Sequence, residues 1–105
     1  IGIARAAVAE HGVTVPTIYG HAGNGHPHMD FVARNGEQVH AIEETIAAIL
    51  RPILAMGGTV AAEHGIGKIK HRWMGMQLSA QQRAVMQGIK RALDPHNLMN
   101  PGKVL

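Results

Sequence analysis

Three of the chain's eight histidines fall within residues 19–30, a span that also holds three glycines. Neutral imidazole is the commonest protein metal ligand and titrates near physiological pH. Glycine lets a backbone turn tightly and lets other atoms approach it closely. His21 and His28 bracket the glycine turn, and His26 and His28 share one face of an extended strand. Histidines so placed can converge on one point. For this loop taken alone, a solvated polar hairpin is the better reading.

A second stretch shifts that balance. Residues 57–68 run from Gly57-Gly58 through Val60, Ala61 and Ala62 to Glu63-His64, then break on Gly65 and Gly67. Glu63 offers a carboxylate that would complete a two-histidine, one-carboxylate set with His21 and His28, a ligand set that leaves positions open for water or substrate. His64 is adjacent in sequence, so it can lie beside a metal without ligating it, as a general base should. The bland alternative pairs Glu63 with Lys68. Lys68 itself would either attract a substrate carboxylate or sit solvated at a helix start.

Positioning these groups falls to a short list of elements. Residues 1–11 are Ala-rich and read as the end of a helix stopped by Gly12. Residues 13–19 are rich in β-branched side chains and predict a strand, with Pro16 at an edge or irregular start. Residues 28–33 predict its antiparallel return, closed by a turn at Asn35-Gly36. Val39, Ile42, Ile46, Ile49, Ile53 and Met56 recur at helical spacing, with a kink or restart expected at Pro52. Residues 59–62 are assigned to a brief strand that delivers Glu63 and His64.

Residues 68–76 predict a short helix with Ile69, Trp73 and Met76 on one side. Ser79 and Gln82 form a capping-box pattern, opening a helix expected to bury Val85, Met86, Ile89 and Leu93 and to end at Asp94-Pro95. Pro101-Gly102 turns the extended tail. The fold class is α+β, a small antiparallel sheet, incomplete in this segment, packed against helices. A two-stranded ribbon is marginal alone. Further strands are therefore expected before Ile1 or from a partner chain, a homo-oligomer included.

Composition removes several functions. At 105 residues with 46% hydrophobic content, one small domain or part of a larger one can build a core, and with 3% aromatics that core is aliphatic. The net charge of +3 is modest, and only Lys68, Lys70, His71 and Arg72 cluster. With one Trp, one Tyr and one Phe there is no aromatic interleaving to stack bases, so nucleic acid is not expected as a partner. The absence of cysteine excludes disulfides and thiolate metal sites. No apolar run is long enough to span a membrane and no signal-peptide pattern opens the chain. His11, His40, His71 and His96 are expected at the surface, and Trp73 and the methionines in the core.

Three motifs in order then resemble a known family. They are Gly20-His21-Ala22-Gly23-Asn24-Gly25-His26-Pro27-His28, then Gly57-Gly58-Thr59 with Glu63-His64-Gly65-Ile66-Gly67, then Asp94-Pro95 with Asn100-Pro101-Gly102-Lys103. Together they cover nearly the whole chain and resemble the C-terminal domain of FAD-linked oxidases of the D-2-hydroxyacid dehydrogenase type. D-lactate dehydrogenases, the FAD subunit of glycolate oxidase and D-2-hydroxyglutarate dehydrogenases are of that type.

The resemblance implies that residues 1–105 form the C-terminal part of a cap domain, with an antiparallel sheet, serving a separate FAD-binding domain of the same protein that is absent from this sequence. It implies a divalent metal, zinc being the expected ion, on His21, His28 and Glu63, and His64 as the base for a small 2-hydroxy acid substrate. It implies that Asn100 and Lys103, in a tail running back toward the flavin domain, contact the cofactor. It implies a cytoplasmic enzyme, membrane-associated if at all through electron-transfer partners. The segment alone is expected to be inactive. Asn24 stands where the family commonly has Asp, and His26 where it commonly has Asn, so an extra imidazole competes as a ligand. Two other classes remain open at this point, a stand-alone metal-binding or hydrolytic module and a structural domain without metal.

Overall fold

Helix α1 (Gly2–His11) is closed by Gly12 in the left-handed conformation, φ 63° and ψ 26°, with its N–H donated to the Val8 carbonyl. In this computed structural model, which describes residues 1–105, α1 opens the first of two units, Ile1–Met56; the second is Gly57–Leu105.

In the first unit, strands β1 (Thr14–His21) and β2 (His26–Val32) form an antiparallel pair, and this is the whole sheet. A register shift lies between Thr14 and Thr17, around Pro16. Proline has no N–H to donate to a ladder, so an irregular stretch of strand is where it fits. Beyond the shift, Thr17 pairs with Asp30, Ile18 with Met29, Tyr19 with His28 and His21 with His26. Side chains alternate between faces. Met29 and Phe31 pack on the buried cluster of Ala4, Ala7 and Ile49, together with Ala48 and Ile53. The opposite face therefore carries Tyr19, His21, His26, His28 and Asp30.

Helix α2 (Gly36–Ala55) packs against α1. Asn35 is its N-cap, accepting a bond from the Gln38 N–H at 2.9 Å. The turn expected at Asn35-Gly36 is thus a helix start, because an Asn side chain that can nucleate a turn can equally satisfy an orphan helix N–H. The helix also runs through Pro52 instead of restarting there. Pro52 lies in the final turn, where few later residues depend on the interrupted ladder. Ile49 and Leu50 are buried, while Val39 and Met56 at the two ends are exposed.

In the second unit no strand forms. Residues 59–62, expected to be one, are irregular; the second unit holds no other strand to pair with them, and the Val60 N–H is taken by Gln77 Oε1 at 2.8 Å. A single 3₁₀ turn (His71–Trp73) leads into the short helix α3 (Met74–Gln77), later than expected. Trp73 and Met74 are buried, but Ile69 is 78% exposed. Helix α4 (Ala80–Leu93) begins with both bonds of the expected capping box, Ser79 to Gln82 and back. Its apolar stripe is not covered: Val85, Ile89 and Leu93 are exposed and only Met86 is half-buried. The spacing that makes a helix amphipathic does not supply a surface to cover it.

Asp94 closes the second unit. Its side chain is buried and accepts bonds from the Leu98 and Met99 N–H groups, both at 2.9 Å, while Lys90 donates to it and to the Met99 carbonyl. The hydrogen bond from Lys90 holds the Asp94 carboxyl below its usual range; burial opposes this, and the two backbone donors add to it. The tail then turns through Pro101-Gly102 and is tied by the Val104 N–H to the Gly67 carbonyl at 3.1 Å.

Candidate functional site

The imidazole cluster is built by the tip of the β-hairpin. A 3₁₀ turn (Ala22–Asn24) closed by Gly25, φ 62°, reverses the chain between His21 and His26. Just before it, Gly20 has φ 140°, a region that essentially only glycine enters. A Cβ on Gly20 would stand 2.3 Å from the His26 carbonyl oxygen. The missing side chain is therefore what lets β1 and β2 close up at this point. The Gly20↔Pro27 pair sits between the His21↔His26 and Tyr19↔His28 pairs.

The rings gather as that register dictates. His21 and His28 lie edge to face with centroids 5.9 Å apart, and His26 and His28 are 4.6 Å apart. Tyr19 stacks on His28 at 5.1 Å and 16° between planes, which limits the ways the His28 ring can turn. Sequence reading missed Tyr19. Its place two residues before His21 on an alternating strand was the signal that put it on this face. His21 is exposed and His26 and His28 are half-buried, so the cluster is accessible to a ligand.

In the second unit, Glu63 and His64 come together. Glu63 Oε1 is 3.2 Å from His64 Nε2, and the half-buried carboxylate contrasts with an imidazole that is 79% exposed. His64 has φ 61°, and Gly65 and Gly67 are also left-handed. Three such residues in four positions make a coil that regular hydrogen bonding does not hold. Side-chain and tail contacts hold it instead: Lys70 Nζ donates to the Glu63 carbonyl at 3.2 Å, and the Gly67 carbonyl accepts from Val104. The lysine bonded to Glu63 is thus Lys70, through the backbone.

The remaining histidines divide. His40, His71 and His96 are exposed as expected, whereas His11 is half-buried with Nδ1 4.0 Å from Glu44. Trp73 is a core residue, but Met56 and Met99 are exposed. Asn100, φ 50°, accepts the Lys103 N–H through its carbonyl in the exposed tail turn. An open groove beside α1 and β1, lined by Arg5, Val8, Val13 and Ile18, includes none of the candidate ligands. No helix is long and apolar enough to cross a membrane.

An α+β domain with an imidazole-faced hairpin and a Glu-His coil defines a class, and comparison with known proteins gives it a family. Residues 2–104 match the family described as FAD linked oxidases, C-terminal domain, and the chain belongs to it. The chain is 35% identical to glycolate oxidase subunit GlcD of Bacillus subtilis over 98 residues, 91% of this chain and 21% of that protein. It is 34% identical to the D-2-hydroxyglutarate dehydrogenase of Xanthomonas citri pv. viticola, over 82% of this chain and 19% of the relative. A probable mitochondrial D-lactate dehydrogenase of Danio rerio is 38% identical over 96% of this chain and 20% of its own length. The chain thus spans about a fifth of the length of these relatives.

Proposed function

We propose that residues 1–105 are the C-terminal part of a flavin-dependent oxidoreductase acting on a small D-2-hydroxy acid, and that they bind a divalent cation and the substrate. The missing FAD-binding domain would belong to the same polypeptide, and the chain by itself would not turn over. Family membership and relatives named for glycolate, D-lactate and D-2-hydroxyglutarate support the substrate class.

His21, His28 and Glu63 are the proposed ligands. The donor chemistry fits such an ion: two imidazoles and one carboxylate suit zinc and its neighbours and leave coordination positions open. When bound, the cation would supply Lewis-acid polarisation of the substrate alcohol, and the flavin would supply the acceptor for the carbon-bound hydrogen as hydride.

This chain's own residues do the rest. His64 takes the hydroxyl proton as the alcohol becomes a carbonyl. Its Nε2 already faces the Glu63 carboxylate, so the imidazolium forms beside a negative charge. A carboxylate presents two oxygens, so Glu63 can hold His64 through Oε1 and ligate through Oε2. Asn100 and Lys103 are proposed to contact the flavin from the tail turn; their exposed, ordered turn supports that role.

The Glu63–His64 contact is the observation that carries the catalytic assignment. In the full-length protein, His64→Ala should abolish turnover of the 2-hydroxy acid by about 100-fold or more while metal content stays unchanged. Glu63→Gln should lower both. Turnover that survives in His64→Ala would remove His64 as the base.

A further inference from the structure

We propose that Lys70 is a positioning residue for the reaction: it holds the peptide joining Glu63 to His64 in the orientation that brings their two side chains together. This rests on the reading of His64 as the base and adds the residue that keeps the base in place. All the groups involved lie in the second unit.

Neighbours in sequence do not ordinarily meet. In a strand, successive side chains point to opposite faces, and in a helix residues one apart do not face each other. Glu63 Oε1 and His64 Nε2 nevertheless lie 3.2 Å apart. The backbone departs from both regular forms, since His64 has φ 61°, in the left-handed region that a residue with a Cβ seldom enters. Gly65 and Gly67 are also left-handed, but without that steric cost. His64 is therefore the strained residue of the coil. Turning the 63–64 peptide to a negative φ at His64 relieves the strain and swings the imidazole away from the carboxylate.

Lys70 opposes that turn. The Glu63 carbonyl oxygen belongs to the planar unit between residues 63 and 64, so fixing it fixes ψ of Glu63 and φ of His64 together. Lys70 Nζ donates to this oxygen at 3.2 Å. An ammonium donor makes a stronger bond than a neutral one, and Lys70 is half-buried, so water competes less for it. The lysine is itself anchored to the coil: its backbone N–H donates to the Ile66 carbonyl at 3.2 Å, and Gly67 accepts from Val104 at 3.1 Å. Lys70 thus grips the coil at Ile66 through its backbone and at the strained peptide through its side chain.

The test uses the full-length protein, a dye as electron acceptor, and whichever of glycolate, D-lactate and D-2-hydroxyglutarate the wild type oxidises fastest. Lys70→Met keeps the aliphatic stem and removes the donor, so kcat should fall about 10–100-fold while KM stays within about threefold. Lys70→Arg keeps a charged donor and should recover most of the loss. The double variant Lys70→Met/His64→Ala should be no slower than His64→Ala alone, because Lys70 acts through His64. A crystal structure of Lys70→Met should show His64 at negative φ, with its contact to Glu63 open. An unchanged kcat, a loss confined to KM, a double variant well below His64→Ala, or a retained φ and contact would each overturn the proposal. If circular dichroism shows Lys70→Met unfolded, Lys70→Gln, with a neutral and shorter side chain, takes its place under the same criteria. Full turnover in His64→Ala would remove the base assignment itself, whereas an inactive His64→Ala beside a fully active Lys70→Met would refute only the role of Lys70.

Discussion

Gly20 is the position where one methyl group should separate a working imidazole cluster from a broken one. In Gly20→Ala the new Cβ would meet the His26 carbonyl oxygen at 2.3 Å, the Pro27 Cα at 3.0 Å and the His28 nitrogen at 3.1 Å. All three are backbone atoms, so no side chain can swing aside. An ordinary C···O contact is about 3.3 Å, so the strands must part by about 1 Å. The backbone conformation adds its own cost, about 1–3 kcal/mol for a side chain at such a φ. The steric clash adds about 1–3 kcal/mol more by analogy with overpacked cores, giving about 2–6 kcal/mol for the closed hairpin.

If the ion needs the closed hairpin, the lower bound of about 2 kcal/mol corresponds to about 30-fold in zinc affinity. The assay is competition against a chromophoric chelator in the full-length protein. Two neighbouring glycines calibrate it. Gly23→Ala meets nothing within 4 Å and has no positive φ, so it should be neutral. Gly25→Ala, at φ 62° in open space, should pay only backbone strain of about 1 kcal/mol. A Gly20→Ala protein that binds zinc like Gly23→Ala would refute the argument that strand closure sets the ring geometry.

Other predictions concern stability. The Asp94 carboxyl is held below the ordinary 3.8, so its contribution is complete above that value and is lost as pH falls through the lower folded value. Hydrogen-exchange protection at Leu98 and Met99 should decline on that acid side, and Asp94→Asn should flatten the dependence. Ser79→Ala removes the cap on the Gln82 N–H and should cost about 1 kcal/mol, read by urea denaturation. Ile49→Ala empties a site only 3% exposed in the α1–α2 core and should cost about 2–5 kcal/mol in the same assay.

Local chemistry was legible wherever the residue that acts and the group it acts on lie a few positions apart. Gly12 stops α1, Ser79 and Gln82 cap α4, and strand alternation puts His26 and His28 on one face, each by a rule that spans a turn or less. Asn35 shows the edge of that reach, since one side chain serves a turn and a helix cap equally well. The strand expected at residues 59–62 did not form: a strand needs a partner, and the second unit holds no other strand. The α4 stripe was read as buried because periodicity reports which side is apolar and is silent on what covers it.

What the sequence determined alone is therefore the set of chemical groups and the faces they share: three imidazoles on one hairpin, a carboxylate next to a histidine, an acid before a proline. Only the tertiary structure decided that Tyr19 stacks on His28, that Lys70 and the tail brace the coil around Glu63, and that Asp94 folds the residues after it back onto itself. Those outcomes depend on contacts that no helix or strand period specifies, whether the groups are a few residues apart, as Asp94 and Leu98 are, or far apart, as Gly67 and Val104 are.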